Sequence, residues 1–162
     1  MDESKIVLTE SNFLTDQETY TAVRGYVIAA QNQIYSSVNI AMVTAYRNIG
    51  KQIYEACGEN DRAAYGKQLL RYLSEKLTEE FGKGFDERNL RNMRQFYLTF
   101  PIRNSLRSEL SWTHYRALMK VKDDAARNFY LEEAVKSGWS SRQLERQINF
   151  PPFVGYPAIL FG

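Results

Sequence analysis

A single helical period links a stripe of apolar or neutral residues between Val27 and Ala56, and it constrains the fold more than any other feature of the sequence. The stripe advances in steps of three or four residues, through Val27, Gln31, Ile34, Val38, Met42, Ala45, Ile49, Ile53 and Ala56. A mean step of about 3.6 residues is the α-helical period rather than the heptad of a strict coiled coil. The pattern predicts one long helix from about Asp16 to Cys57, after a flexible N-terminus over residues 1–15.

A helix of this length needs a neighbour that covers its apolar stripe. Two neighbours are compatible with the sequence. One is the same helix of a second copy, which would make the protein a homodimer. The other is a helix of the same chain, in an intramolecular bundle. We expect the homodimer, and the residues alone leave the bundle open.

Five shorter helices are expected after the long one, because capping residues and glycines punctuate the rest of the chain. They are predicted at Arg62–Phe81, at Glu87–Phe100 with Asp86 as N-cap, at Trp112–Val121 after Ser111, from Asp123 or Asp124 to near Gly138, and from Ser140 or Ser141 through Ile148. No segment alternates as a strand does. The expected fold is an all-α helical bundle over residues 16–149, followed by a Pro-rich, non-helical tail over residues 150–162.

Composition narrows the possible functions. The formal net charge is only +2, so any nucleic-acid site must come from local clustering of Arg and Lys. The single Cys57 fits a reducing cytoplasm, and no signal peptide or membrane span is apparent. One His and one Cys exclude a zinc site of ordinary composition, and no glycine-rich phosphate loop is present. We therefore expect a cytoplasmic, non-catalytic domain without metal, cofactor or membrane partner.

The stretch from Leu69 to Phe100 predicts a helix-turn-helix. One helix ends at Phe81-Gly82-Lys83-Gly84-Phe85, and the next begins at once behind Asp86. That second helix has an apolar face of Leu90, Met93, Tyr97 and Phe100, and an opposite face of Arg88, Arg91, Asn92, Arg94 and Gln95. Arg pairs with guanine, and Asn or Gln pairs with adenine, in the major groove. An ordinary solvated face is the alternative, but it usually mixes Glu with Lys, and no acid follows Glu87 here.

A second helix-turn-helix is predicted between Asp124 and Ile148, with Gly138-Trp139-Ser140 as its turn. Its last helix turns Arg142, Gln143 and Arg146 away from Leu144 and Ile148. We expect Lys83, Arg142 and Arg146 to contact phosphates. Glu145 weakens this unit as a DNA reader, so a simple amphipathic closing helix is an equal alternative. The only histidine, His114, lacks a partner of a recognisable catalytic arrangement, and a structural hydrogen bond is expected of it.

Several blocks of the sequence resemble the N-terminal domain of the YhcG-type bacterial nuclease family. The blocks lie between about residues 20 and 149, and they include Phe81-Gly82-Lys83-Gly84-Phe85, Asn89 to Tyr97, Leu110 to Tyr115, Ala126 to Tyr130 and Arg142 to Ile148. Family members carry this helical domain in front of a PD-(D/E)XK nuclease domain. The resemblance implies a DNA-associated module, and no catalytic residue transfers to this chain because the family's catalytic residues lie in the second domain.

The expected function is therefore a DNA-binding, targeting module of a restriction-like nuclease, with duplex DNA as the leading partner and a nuclease domain possibly supplied in trans. The alternative is an oligomerisation or protein-interaction domain with no direct DNA contact. After Ile148 the sequence departs from the family's pattern, because the prolines between Pro151 and Pro157 forbid a continued helix.

Overall fold

A computed structural model describes the backbone of residues 3–57, 63–101 and 106–151. Side chains are described from residue 16 in the first range and from residue 64 in the second. Six helices span these ranges: α1 (Glu3–Cys57), α2 (Ala63–Phe81), α3 (Glu87–Thr99), α4 (Trp112–Leu118), α5 (Asp124–Ser137) and α6 (Ser141–Asn149). The described ranges contain no strand. The predicted all-α fold class is confirmed, and the predicted tail beyond Pro151 lies outside the described residues.

Two helix boundaries differ from the sequence-based expectation. The long helix α1 begins at Glu3 rather than near Asp16, and no Pro or Gly interrupts the sequence between these positions. The helix α4 ends at Leu118, three residues before the expected Val121. Its last turn tightens, since the N–H of Lys120 donates to the carbonyl of Ala117 at 3.1 Å, one residue closer than in an α-helix.

The chain divides into two compact units, Met1–Ser37 and Val38–Gly162. In the first unit, nearly every described side chain of the α1 segment is solvent-exposed. The second unit contains the hydrophobic core, to which the C-terminal part of α1 and the helices α2 to α6 contribute. None of the described helices is both long and apolar enough to cross a lipid bilayer.

Side-chain caps fix the starts of three helices in the second unit. Asp86 Oδ1 accepts a hydrogen bond from the backbone N–H of Asn89 at 2.8 Å, and Asp123 Oδ1 accepts one from Ala126 at 2.7 Å. Ser140 Oγ accepts one from Gln143, whose own side chain accepts the N–H of Ser140. Each cap satisfies N–H groups that a helix start leaves without a partner. The predicted caps at Asp86 and Ser140 are confirmed, and Asp123 is the cap of α5.

Two clusters of buried side chains form the core of the second unit. One joins α1 with α3, α4, α5 and α6, and the other joins α1, α2 and α3 around Leu90 and Met93. The half-buried Trp112 packs against both clusters. Its ring lies 5.2 Å from the ring of Phe96, and its Nε1–H donates to Asn89 Oδ1 at 3.1 Å. Trp112 therefore couples the start of α4 to the first turn of α3.

Candidate nucleic-acid interface

The turn before α3 is held by its own backbone and by the neighbouring helix α4. Gly82 and Gly84 adopt positive φ angles of 83° and 110°, a conformation that favours glycine. Asn89 donates from its side-chain amide to the carbonyl of Gly84, while its oxygen accepts from Trp112. The first turn of α3 is thus fixed by the packing of the second unit.

A groove opens between three helices of the second unit, and we refer to it as the α3–α4–α6 groove. Its volume is about 410 Å³. Polar and basic side chains dominate its lining: Arg88, Asn92 and Gln95 from α3, Thr113, Arg116 and Ala117 from α4, Met119 and Lys120 from the turn that follows, and Ser141 and Glu145 from α6. The lining contains three basic side chains and one carboxylate.

The five polar residues predicted on α3 separate into two groups. Arg88, Asn92 and Gln95 line the groove. Arg91 does not line it, and its guanidinium pairs with Glu87 one helical turn earlier at 3.2 Å. Arg94 is half-buried, and its Nε is buried without a hydrogen-bond partner among the described residues. The groove residues are therefore the better candidates for a ligand contact.

The three predicted phosphate contacts lie outside the lining of the groove. Lys83 is exposed in the turn between α2 and α3, and Arg142 and Arg146 are exposed on α6. Only Arg88, Asn92 and Gln95 of the predicted interface therefore line the groove.

Sequence reasoning missed the α4 side of the groove. Arg116 lies in α4 and Lys120 lies just after it. The block that begins this helix, Trp112-Thr113-His114-Tyr115, suggests a structural role rather than a binding site. No pattern in the sequence places Arg116 opposite Arg88, because the two residues are brought together only when α3 and α4 pack. The available signal was the four-residue spacing of Arg116 and Lys120, which puts both on one side of the predicted helix.

One ion pair spans the groove wall. Lys120 Nζ donates to Glu145 Oε1 at 2.7 Å. This hydrogen bond and the charge of Lys120, together with the charge of Arg116, lower the pKa of Glu145 below its ordinary value. The carboxylate therefore stays ionised at neutral pH and neutralises one of the three basic groups in the groove.

His114 lies beside the groove, buried, and it makes the structural hydrogen bonds expected of it. Its Nε2 is 2.8 Å from the carbonyl of Trp139, so this nitrogen carries the proton and donates. Its Nδ1 accepts from the backbone N–H of Ser111 at 3.1 Å. The imidazole thus ties the start of α4 to the turn between α5 and α6, and it holds two walls of the groove together.

Replacing His114 with Ala should lower the free energy of unfolding by about 2 kcal/mol, because the buried Trp139 carbonyl and Ser111 N–H lose their partner. Urea unfolding followed by circular dichroism measures the change as a lower midpoint at constant slope. Asn128→Ala is the control, since Asn128 is exposed on α5 and makes no hydrogen bond with the described residues. Equal midpoints for the two variants would contradict the structural role of His114.

The family model described as the DUF1016 N-terminal domain matches residues 22–153. A relative from Escherichia coli (strain K12), which bears the name "Putative nuclease YhcG", is 34% identical over 174 aligned residues. The alignment covers 87% of this chain and 46% of the relative, so the chain spans about half of that protein's length. No solved structure matches the chain. The resemblance predicted from the sequence blocks is confirmed.

Proposed function

The chain belongs to the family described as the DUF1016 N-terminal domain, and on this premise we propose that it is a DNA-binding, targeting module of a nuclease. In this proposal it acts in the cytoplasm, and the cleavage chemistry belongs to a PD-(D/E)XK domain elsewhere in the nuclease or in a separate chain. The kinship with a protein named a nuclease supports a nucleic-acid partner. The observation that carries the proposal is the set of polar donors that α3 presents to the α3–α4–α6 groove.

The side chains of α3 have the chemistry that DNA binding requires. Arg88 is exposed at the first turn of α3 and makes no hydrogen bond or ion pair with the described residues. Asn92 follows it by four residues and therefore lies one turn further along the same face. An arginine with an unoccupied fork of donors binds phosphate oxygens or guanine, and an amide binds adenine. Arg91, Arg94, Lys83, Arg142 and Arg146 complete the proposed contact set from outside the groove.

The proposal is tested by fluorescence anisotropy of a labelled random-sequence duplex with the purified chain at two salt concentrations. We expect a Kd of about 1–100 μM that weakens steeply with salt, as phosphate contacts release counterions. Arg88→Gln should weaken binding about tenfold and reduce the salt dependence by about one counterion.

Arg71→Gln is the matched control for that variant. Arg71 is an exposed arginine on α2 that does not line the groove, so its loss removes the same charge elsewhere. A folded wild-type chain that binds no DNA at low salt would refute the proposal. Equal weakening by both substitutions would refute the assignment of Arg88.

An exposed apolar face supports a second function, oligomerisation, and a homodimer in particular. In the first unit the side chains of Tyr20, Val23, Val27 and Ile34 are 61%, 52%, 52% and 62% exposed. Their spacing places them along one side of α1, over about 21 Å at 1.5 Å per residue. No charged residue occurs between Gly25 and Tyr46. Arg24 borders the N-terminal part of this side, and the part from Val27 to Ile34 is uncharged. A second copy of the chain has the same side and would cover it, as in symmetric dimers.

A dimer and DNA binding are compatible, because a dimer would present two copies of the groove. Measurements of self-association and of DNA binding distinguish the two functions. An oligomerisation domain without DNA contact would self-associate and leave the anisotropy of the labelled duplex unchanged. The DNA-binding module would raise that anisotropy in a salt-dependent way.

A further inference from the structure

Arg116 lies in the α3–α4–α6 groove with an unoccupied guanidinium. It is half-buried on α4, yet it makes no hydrogen bond or ion pair with the described residues. Two other half-buried arginines of the second unit are engaged: Arg127 donates to the carbonyl of Val121, and Arg47 donates to that of Phe100. Arg94 is also half-buried without a hydrogen-bond partner among the described residues, but it does not line the groove. Partial burial costs a guanidinium some of its hydration, and nothing within the described chain compensates Arg116 by direct contact.

The groove around Arg116 has the donors and the apolar surface that bind a sugar–phosphate strand. Arg88 faces the same space from α3, so two forked donors converge on one groove. Hydroxyl and amide side chains supply further hydrogen bonds, and Ala117 and Met119 supply apolar surface for a sugar. A space of about 410 Å³ is large enough for a segment of one backbone strand of a duplex. An arginine binds a phosphodiester through two parallel N–H donors.

The carboxylate of Glu145 occupies the opposite wall of this groove. It accepts a hydrogen bond from Lys120, and it lies near enough to Arg116 to interact with that charge. A phosphate that enters the groove would meet this carboxylate and would compete with it for Lys120. Glu145 therefore opposes any polyanion that the two arginines attract.

We infer that Arg116 is a contact for the DNA backbone in the α3–α4–α6 groove, and that Glu145 limits the affinity of this site by occupying Lys120. The inference rests on the proposed DNA-binding function and deepens it in two ways. It adds a contact residue from α4, which is neither of the two helices, α3 and α6, that were predicted to contact DNA. It also assigns Glu145 the role of lowering the affinity for DNA.

Two substitutions with opposite expected effects test the inference, using the full chain and the labelled random-sequence duplex. Arg116→Gln should weaken binding about tenfold and reduce the salt dependence by about one counterion. Glu145→Gln should tighten binding about fivefold, because it removes the carboxylate that repels phosphate and releases Lys120. Anisotropy titrations at two salt concentrations give both the affinity and its salt dependence.

Arg71 and Glu75, which form an ion pair on α2, provide the controls. Arg71→Gln makes the same charge change as Arg116→Gln, and Glu75→Gln makes the same charge change as Glu145→Gln. Both residues are exposed on α2 and neither lines the groove. Arg71→Gln and Glu75→Gln show how much the same change of net charge alters the affinity for DNA when it is made outside the groove. The inference predicts that each groove variant changes affinity at least threefold more than its α2 control.

The outcomes separate the inference from the proposed function. A wild-type chain that binds no DNA refutes the proposed function, and the inference with it. If the wild-type chain binds and Arg88→Gln weakens it, while the variants of Arg116 and Glu145 behave like their α2 controls, the inference alone is overturned. If Arg116→Gln fails to fold, Glu145→Gln still decides, because the side chains of the Lys120–Glu145 ion pair are exposed and the fold does not depend on such a pair.

Discussion

Replacing Gly50 with Ala is expected to lower the free energy of unfolding by about 3 kcal/mol. Gly50 lies where α1 crosses α3, and a Cβ atom at this position would lie 1.9 Å from the carbonyl oxygen of Met93 and 2.5 Å from its carbonyl carbon. Both contacts are with backbone, so no side-chain rotation relieves them and the two helices must separate. Overpacking of a tight interior costs about 1–3 kcal/mol and sometimes more. Urea unfolding followed by circular dichroism measures the loss.

Gly25 in the same helix is the matched control for Gly50. A Cβ atom at Gly25 meets no atom within 4 Å. Alanine is the better helix former by about 1 kcal/mol, so Gly25→Ala should be neutral or slightly stabilising. If Gly50→Ala raised the urea midpoint as well, helix propensity rather than packing would dominate, and the close approach of α1 to α3 would be wrong.

The short helices could be predicted from the sequence because their ends are specified locally. Asp86 accepts the N–H of Asn89 three residues later, and Gly138 ends α5 in the left-handed conformation at φ 61° and ψ 37°. Such signals lie within a few residues of the boundary they define. The end of α4 was less predictable, since its last turn tightens without a Gly or Pro and the apolar pattern continues to Val121.

The buried face of α1 could not be predicted from apolar residues alone. In the second unit α1 buries Val43, Gly50, Ile53 and Cys57, whereas Met42 of the predicted stripe is 41% exposed. A glycine adds nothing to a hydropathy pattern, although its lack of a side chain is what permits α3 to approach. The same applies to Phe96 on α3, which is fully buried but lies beside the predicted apolar face, because α3 packs on both α1 and α4.

The candidate site was predictable only on α3, where the residues that line the groove recur along one helical face. Arg88, Asn92 and Gln95 follow each other at steps of four and three residues, which a helix projects to one side. Arg116 and Glu145 join them from α4 and α6 through contacts between residues far apart in sequence. Those contacts depend on how Trp112 and His114 anchor α4, and a single sequence does not specify that geometry.

The exposed apolar face of the first unit is the feature that most favours a homodimer. Val27 and Ile34 lie seven residues apart on α1, and each exposes more than half of its side chain. An apolar face of this length on an uncharged segment would cost free energy in water, and burial against an identical face recovers about 25 cal/mol for each Å² removed from solvent. Since both helices of such a dimer bring the same residues to the interface, a substitution acts twice.

The double substitution Val27→Lys and Ile34→Lys should therefore convert the proposed homodimer to a monomer and raise its dissociation constant at least about 100-fold, because like charges would meet across the interface. Sedimentation velocity at several protein concentrations measures the change. Ala29→Lys with Asn32→Lys adds the same charge to exposed positions on the opposite side of the same helix, and it should leave the dimer intact. A wild-type chain that sediments as a monomer would contradict the dimer outright. Equal dissociation by both double variants would show that net charge, rather than this apolar face, controls association.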